Sequence, residues 1–238
     1  YEIAQCLVGS EMCIRDSFDS LYRAHASHPM QMPKGSAITK TEAADAIYVI
    51  SRISGEGADR KAEPGDYYLS EQEEEELKAI TECYDNTIVI LNVGGVMDVS
   101  FLEKYNIAAL VMLSQAGMEG GNALADVLSG AVTPSGKLTD TWGCHYEDYP
   151  SSATFSHNNG NIIEEKYYEG IYVGYRYFDS FEVEPRYPFG YGMSYTTFDV
   201  ATENAAWKPD AESKTITATV KVTNTGSCAG KEAVSYTH

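Results

Sequence analysis

Hydrophobic and polar positions alternate irregularly up to about residue 44, and from residue 45 onward the pattern becomes regular. "AIYVIS" (Ala46 to Ser51) is a short, β-branched apolar run, the pattern of a strand buried on both faces. Past a glycine-containing loop, Ser70 is placed to cap a helix, with Glu73 completing a capping box and Leu77, Ile80 and Tyr84 on one helical face. "TIVILNV" (Thr87 to Val93) predicts a second buried strand and "AALVMLS" (Ala108 to Ser114) a third. "SFLEKY" between them predicts a short helix, and "GNALADVLSG" after them another that stops at Gly130. Alternating strands and helices predict an α/β fold, a mostly parallel sheet sandwiched by helices.

Around Pro134 the signal changes. "TPSGKL" reads as a turn, and residues 143 to 170 carry Tyr, His, Asn and acids without a clear period, as in a long surface excursion. The stretch from Tyr167 to Phe198 holds eight of the chain's 18 tyrosines. In "TITATVKVT" the residues Ile216, Ala218, Val220 and Val222 alternate with polar ones, predicting a strand with one wet face. An all-β segment therefore begins near Phe198, and its roughly 40 residues fall short of the roughly 100 a seven-stranded sandwich needs. The expected organisation is residues 1–17 as an extraneous segment, 18–197 as the α/β domain with its Tyr/Gly-rich connector, and 198–238 as a truncated all-β domain.

Composition narrows the function classes. With 35 acidic against 17 basic side chains the net charge is −18, which repels phosphate backbones and anionic lipid surfaces, so no nucleic acid and no membrane partner is expected. The longest apolar runs fall far short of the roughly 20 residues of a membrane span. No basic segment followed by an apolar one marks a leader, so a soluble protein is expected; a cytoplasmic place is compatible with the sequence, which fixes no compartment. Five cysteines without paired short spacing indicate neither a disulfide framework nor a zinc knuckle. Residues 6 to 17, "CLVGSEMCIRDS", resemble a translated sequencing-adapter remnant, which would remove Cys6 and Cys13 from any natural site, and the closing "VSYTH" is suspect in the same way.

The candidate chemistry begins in "SRISGEGADR", where Glu56 stands between two glycines just past the first strand. Ligands of open parallel sheets collect beyond the carboxyl ends of the strands, which makes Glu56 a candidate. Glycines also punctuate ordinary loops, so on the residues alone a solvated turn acid is the commoner reading. Asp59 and Arg60 follow closely and either orient or tune Glu56, or form a local ion pair. "GMEGG" (Gly117 to Gly121) lacks the Lys-Ser/Thr and the G-x-G-x-x-G spacing of nucleotide sites, and close helix–strand packing accounts for it better. His25 and His28 in "HASH" have a spacing that could bind metal but no third or fourth ligand clusters with them, and His145, His157 and Asp148 are equally scattered, so no metal and no cofactor is expected. The tyrosines suit either sugar stacking or packing between domains, the second being the usual role.

Together, "VISRISGEGADRKAEPGDYYLS", "LNVGGVMDV", "SQAGMEGGNALADVLSGAVTPSGKLTDTW", "EGIYVGYRYFD", "EPRYPFGYGMSYTTF" and "VKVTNTGSCAGKEAV" closely resemble, in order, glycoside hydrolase family 3 of the β-glucosidase type, over about residues 45 to 233. The resemblance implies a retaining enzyme with an active site shared by two domains. A (β/α)8-type barrel binds the terminal sugar of a carbohydrate substrate and supplies an aspartate nucleophile, while the α/β sandwich lends a general acid/base glutamate. The matching glutamate here is Glu56. The residues after 198 would open a fibronectin type III-like domain. Neither the barrel nor the first strand–helix unit of the sandwich is recognisable, so the chain alone is expected to be inactive. The competing readings are a non-catalytic carbohydrate-binding or scaffold module, which has no use for Glu56, and a nucleotide-binding doubly wound domain, whose glycine fingerprint is absent.

Overall fold

The computed structural model describes residues 45–53, 59–155, 163–164, 166–207 and 216–232. The segments 1–17 and "VSYTH", together with Glu56, His25, His28 and His157, lie outside the described residues. The chain divides into two compact units, one holding residues up to Gly121 together with Trp142–Arg186, the other Asn122–Thr141 together with the residues from Tyr187 onward.

In the first unit three strands, β1 (Asp45–Ser51), β2 (Asn86–Asn92) and β3 (Ala109–Met112), form one sheet in the order β1-β2-β3. Both pairings are parallel, with Tyr48 opposite Val89 and Ile90 opposite Val111. β2 takes the centre because its run is the most continuously apolar: Val89, Ile90 and Leu91 are all buried. The expectation that all three strands are buried on both faces holds best for β2 and is corrected for its neighbours. β1 buries Ala46, Tyr48 and Ile50 and leaves Val49 exposed, while Leu110, Val111 and Met112 of β3 are only half-buried. Each is an outer strand among the described residues and has a partner on one side only.

Helix α1 (Glu71–Cys83) packs on β1 and β2 through Leu77 and Ile80, with Tyr84 just beyond its end, the face that the periodicity predicts. Its start is fixed by the expected capping box. The Ser70 hydroxyl accepts from the Glu73 amide at 3.2 Å, and the Glu73 carboxylate accepts from the Ser70 amide at 2.8 Å. Unforeseen is Glu76, buried on the same face, where it accepts from the Tyr48 hydroxyl at 2.6 Å and from Gln72 at 2.8 Å. A buried carboxylate needs such donors to replace water. Helix α2 (Phe101–Lys104) occupies the predicted "SFLEKY", and α3 (Gly120–Leu128) the predicted "GNALADVLSG", with Gly130 at φ +77° ending it. Gly117 takes φ +74° at the turn into α3, and a Cβ on Gly120 would press on Ala116. Gly117 and Gly120 thus shape the turn into α3. A 3-10 turn (Tyr146–Asp148) and α4 (Tyr175–Ser180), which buries Phe178, complete the first unit, while α3 from Asn122 onward belongs to the second.

The second unit contains an antiparallel ribbon of β4 (Phe198–Trp207) and β5 (Ile216–Asn224), with a register shift between Thr202 and Asn204. One dry face was expected of β5, but Val220 and Val222, like Val200 opposite, are about half exposed. A two-stranded ribbon has no second layer to cover either face. The base of the ribbon is tied by Thr196, whose hydroxyl bonds Asn224 Oδ1 at 2.7 Å. Lys137 donates to Gly192 O at 2.8 Å and pairs with Glu232 at 3.5 Å.

Candidate functional site

The parallel ladder between β1 and β2 runs one residue past the strand, because the Arg52 amide donates to Asn92 O at 3.2 Å. This fixes the backbone at the point where the chain leaves the sheet for the loop that carries Glu56. The Arg52 side chain then turns inward and is almost wholly buried. Its Nε donates to Asp66 O at 2.7 Å, Nη1 to Ser51 O at 2.9 Å and Glu73 Oε1 at 2.7 Å, and Nη2 to Tyr68 O at 3.2 Å and Glu73 Oε2 at 2.8 Å. A buried guanidinium requires this degree of satisfaction, and the fork against Glu73 cancels its charge. From the far side of the sheet Gln115 donates to Arg52 O at 3.4 Å. Gln115 follows Ser114, a non-glycine residue at φ +57°, which redirects the chain at the end of β3.

After Arg52 the chain turns outward at Ile53, which is 64% exposed, and re-enters the described residues at Asp59. Arg60 is the second anchor. Its Nε donates to Asp66 Oδ1 at 2.6 Å, Nη1 to Val96 O at 2.8 Å and Nη2 to Asp66 O at 2.9 Å. Arg60 forms an ion pair with Asp66. The other oxygen of Asp66 accepts from the Lys61 amide at 2.6 Å, so one carboxylate organises the turn from Lys61 to Tyr68.

Beside this turn lies an aromatic group. Tyr67 is buried, meets Tyr68 edge-on at 4.9 Å and Tyr146 at 5.2 Å, and its carbonyl accepts from the Asp98 amide at 2.9 Å. Burial, reinforced by Tyr149 and Asp98, raises the Tyr67 phenol well above the ordinary tyrosine value. Tyr68 and Tyr146 are shifted the same way, by burial first and then by Glu147. These phenols stay protonated at neutral pH. Of the tyrosines further on, Tyr167 and Tyr168 are exposed, while Tyr172 meets Phe181 at 5.1 Å.

Arg60 and Asp59 stand out in the sequence beside Glu56, whereas Arg52, Asp66 and Gln115 do not. A signal was there for Arg52: a charged residue closing an apolar strand is buried only if something pairs it. Glu73 was recognised only as a cap. His145 and Asp148, read as scattered, share one turn in which the His145 amide donates to Asp148 at 2.7 Å. Among the described residues no three His, Cys, Asp or Glu side chains converge as metal ligands would.

The model of the glycosyl hydrolase family 3 C-terminal domain matches residues 13–195. A β-glucosidase of Ruminococcus albus is 39% identical over 208 residues, covering 86% of this chain and 21% of the relative. β-Glucosidase A of Butyrivibrio fibrisolvens is 40% identical over 226 residues, covering 79% of this chain and 27% of the relative. Among solved structures, β-glucosidase 3B from Thermotoga neapolitana in complex with glycerol superposes with a TM-score of 0.76 at 35% identity, over 93% of this chain and 33% of that one. A β-glucosidase from Paenibacillus barengoltzii gives 0.71 at 41% identity, over 77% and 20%. The chain thus spans between a fifth and a third of the length of these proteins.

Proposed function

The chain belongs to glycosyl hydrolase family 3, and from that premise we propose that it is the part of a retaining β-glucosidase that supplies the general acid/base, Glu56. The whole enzyme removes terminal β-linked glucose from oligosaccharides or glycosides. A barrel domain of the same protein holds the sugar and carries the aspartate nucleophile. Residues 198–238 open a fibronectin type III-like domain, a reading that the antiparallel β4–β5 ribbon supports.

The observation that carries the proposal is the position of the Glu56 loop. It leaves the carboxyl end of β1, where ligands of parallel sheets collect, and Arg52 and Arg60 on either side of it are tied into the fold. Such a support suits an acid that serves a site completed by another domain. In a retaining glycosidase the two carboxyl groups stand roughly 5–5.5 Å apart, one protonating the leaving oxygen while the other forms a glycosyl ester.

The test is Glu56→Ala in the full-length enzyme containing this chain, assayed with added azide. In the variant no base activates water, so the glucosyl ester persists until azide attacks the anomeric carbon. The ester C–O bond breaks, the aspartate carboxylate is regenerated, and the product is β-glucosyl azide. Its appearance supports both the residue and the retaining mechanism. Hydrolysis by Glu56→Ala at the wild-type rate makes the loop acid a structural residue and refutes the assignment.

A further inference from the structure

Arg52 precedes Glu56 by four residues and Arg60 follows it by four. Their guanidinium groups meet at a single atom: Asp66 O accepts from Arg52 Nε at 2.7 Å and from Arg60 Nη2 at 2.9 Å. A carbonyl oxygen has two lone pairs, and here each is taken by one end of the same loop. We propose that Arg52 and Arg60, joined through Asp66, form a clamp that positions the acid between them, an inference that rests on Glu56 being the general acid/base.

The hydrogen-bond inventory distinguishes this role from an electrostatic one. The five N–H groups of Arg52 are all committed within the fold, two of them to Glu73 and three to main-chain carbonyls. Arg60 commits both of its terminal nitrogens and its Nε, and its charge is met by Asp66. Both positive charges are therefore already paired inside the domain. Arg52 has no donor left for a loop carboxylate, and its contribution to Glu56 is through the backbone.

The clamp is also tied to β2 and to the segments that follow β2 and β3. Arg52 continues the β1–β2 ladder through Asn92 O, and its own carbonyl is held by Gln115 beyond β3. Arg60 reaches Val96 O in the segment after β2. A misplacement on the order of 1 Å at a reacting group can cost roughly 10²-fold in rate, which is the scale on which such bracing matters.

A geometric clamp differs measurably from a charge effect and from general stability. Lysine keeps the charge of arginine but cannot present a planar fork, so Arg60→Lys restores an electrostatic role and not a geometric one. In the full-length enzyme we would compare kcat/KM of Arg60→Lys, Arg60→Ala and Arg52→Lys on two glucosides. One has a poor leaving group that needs protonation, and the other has 2,4-dinitrophenolate, which does not. The expected result is a loss of about 10²-fold on the poor leaving group and about 3-fold or less on the activated one, in both Arg60 variants alike. Asp66→Asn, which keeps the shared carbonyl and loses only the carboxylate, is expected to lie between wild type and Arg60→Ala.

Equal losses on both substrates, or recovery in Arg60→Lys, overturn the clamp. Glu56→Ala is the reference that separates the two levels of inference. Leaving-group dependence in Glu56→Ala with none in the arginine variants removes the clamp alone. Its absence in Glu56→Ala removes the acid assignment itself and the clamp with it. Thermal midpoints of all variants, measured alongside, identify any whose loss comes from unfolding, and Asp66→Asn then decides in their place.

Discussion

Glu73 meets Arg52 through both carboxylate oxygens, at 2.7 and 2.8 Å, while the second of those oxygens also accepts from the Ser70 amide at 2.8 Å. One side chain thus closes the N-terminal box of α1 and neutralises the anchor of the Glu56 loop. The two elements are coupled because a buried arginine needs a carboxylate and a helix N-terminus attracts one. Glu73→Ala is expected to cost about 3–5 kcal/mol, since it strands a side chain only 5% exposed. Ser70→Ala, which removes only the cap, should cost about 1 kcal/mol. Urea unfolding of the two variants checks this; equal midpoints would mean that the Arg52 pair contributes nothing.

A second contact links α1 to the residue after α2 and responds to pH. Tyr105 donates to Glu74 Oε2 at 2.6 Å and Lys104 to Oε1 at 2.9 Å. Burial alone would raise the Glu74 carboxyl, but these two donors outweigh it and hold it below the usual carboxylate value. A lowered folded value means stability that is present above the unfolded value of about 4.3 and lost as pH falls through the folded one. Tyr105 moves the other way: burial, then Glu74, pushes it up to about 12. Its contribution is complete below the unfolded value of about 10 and lost as pH rises towards the folded one. The advantage of wild type over Tyr105→Phe should therefore be full near pH 7 and shrink at both ends of a series of urea titrations. An advantage that stays flat from pH 3 to pH 11 contradicts the pairing.

How far the sequence disclosed this depends on the kind of signal. Hydrophobic period and capping chemistry are local, and they located β1, β2, β3, α1, α2 and α3 to within a residue or two. Exposure is not local: β1 and β3 are apolar runs like β2, and whether such a run is covered on both faces depends also on the order of strands. The candidate acid was legible as a motif and Arg60 as its neighbour, whereas the partners that hold Arg52 and Arg60 were not. Arg52 and Asp66 stand fourteen residues apart, and Arg52 and Gln115 sixty-three, contacts that no period encodes.

The buried pair of Tyr48 and Glu76 should behave as a unit. Tyr48 is held protonated by burial and by the Glu76 carboxylate, to which it donates at 2.6 Å. Tyr48→Phe leaves the carboxylate with Gln72 as its remaining side-chain donor among the described residues and should cost about 1–3 kcal/mol. Glu76→Leu leaves a buried hydroxyl without its acceptor, at a similar cost. The double variant removes both groups and should be more stable than the two single costs added together. Strict additivity in a double-mutant cycle would argue that the two groups do not interact.

The 238-residue chain by itself should show no turnover of an aryl β-glucoside above a Glu56→Ala control. It corresponds to at most a third of the length of the relatives compared above, and in the function proposed above the nucleophile and the sugar-binding groups come from a barrel domain. A general acid without a positioned substrate loses the proximity contribution, which can reach roughly 7–11 kcal/mol of the barrier. Release of nitrophenol by the purified wild-type chain, abolished by the Glu56→Ala change, would place a complete site within these residues.

Gly94 tests the last of the ties to Arg52. A Cβ there would stand 2.9 Å from Gln115 Oε1, and Gly94 is not among the residues with positive φ, so the effect of alanine is steric and not a matter of backbone strain. The obstacle is the end of a flexible side chain. Gln115 can swing aside, at the loss of its bond to Arg52 O. Gly94→Ala and Gln115→Ala should then each cost about 0.5–1.5 kcal/mol, the worth of one hydrogen bond. Because both act by removing the same bond, the double variant should cost little more than either alone. If Gly94→Ala proves several-fold more damaging than Gln115→Ala, the added methyl is meeting backbone that cannot yield, and the glycine is required by the turn and not by Gln115.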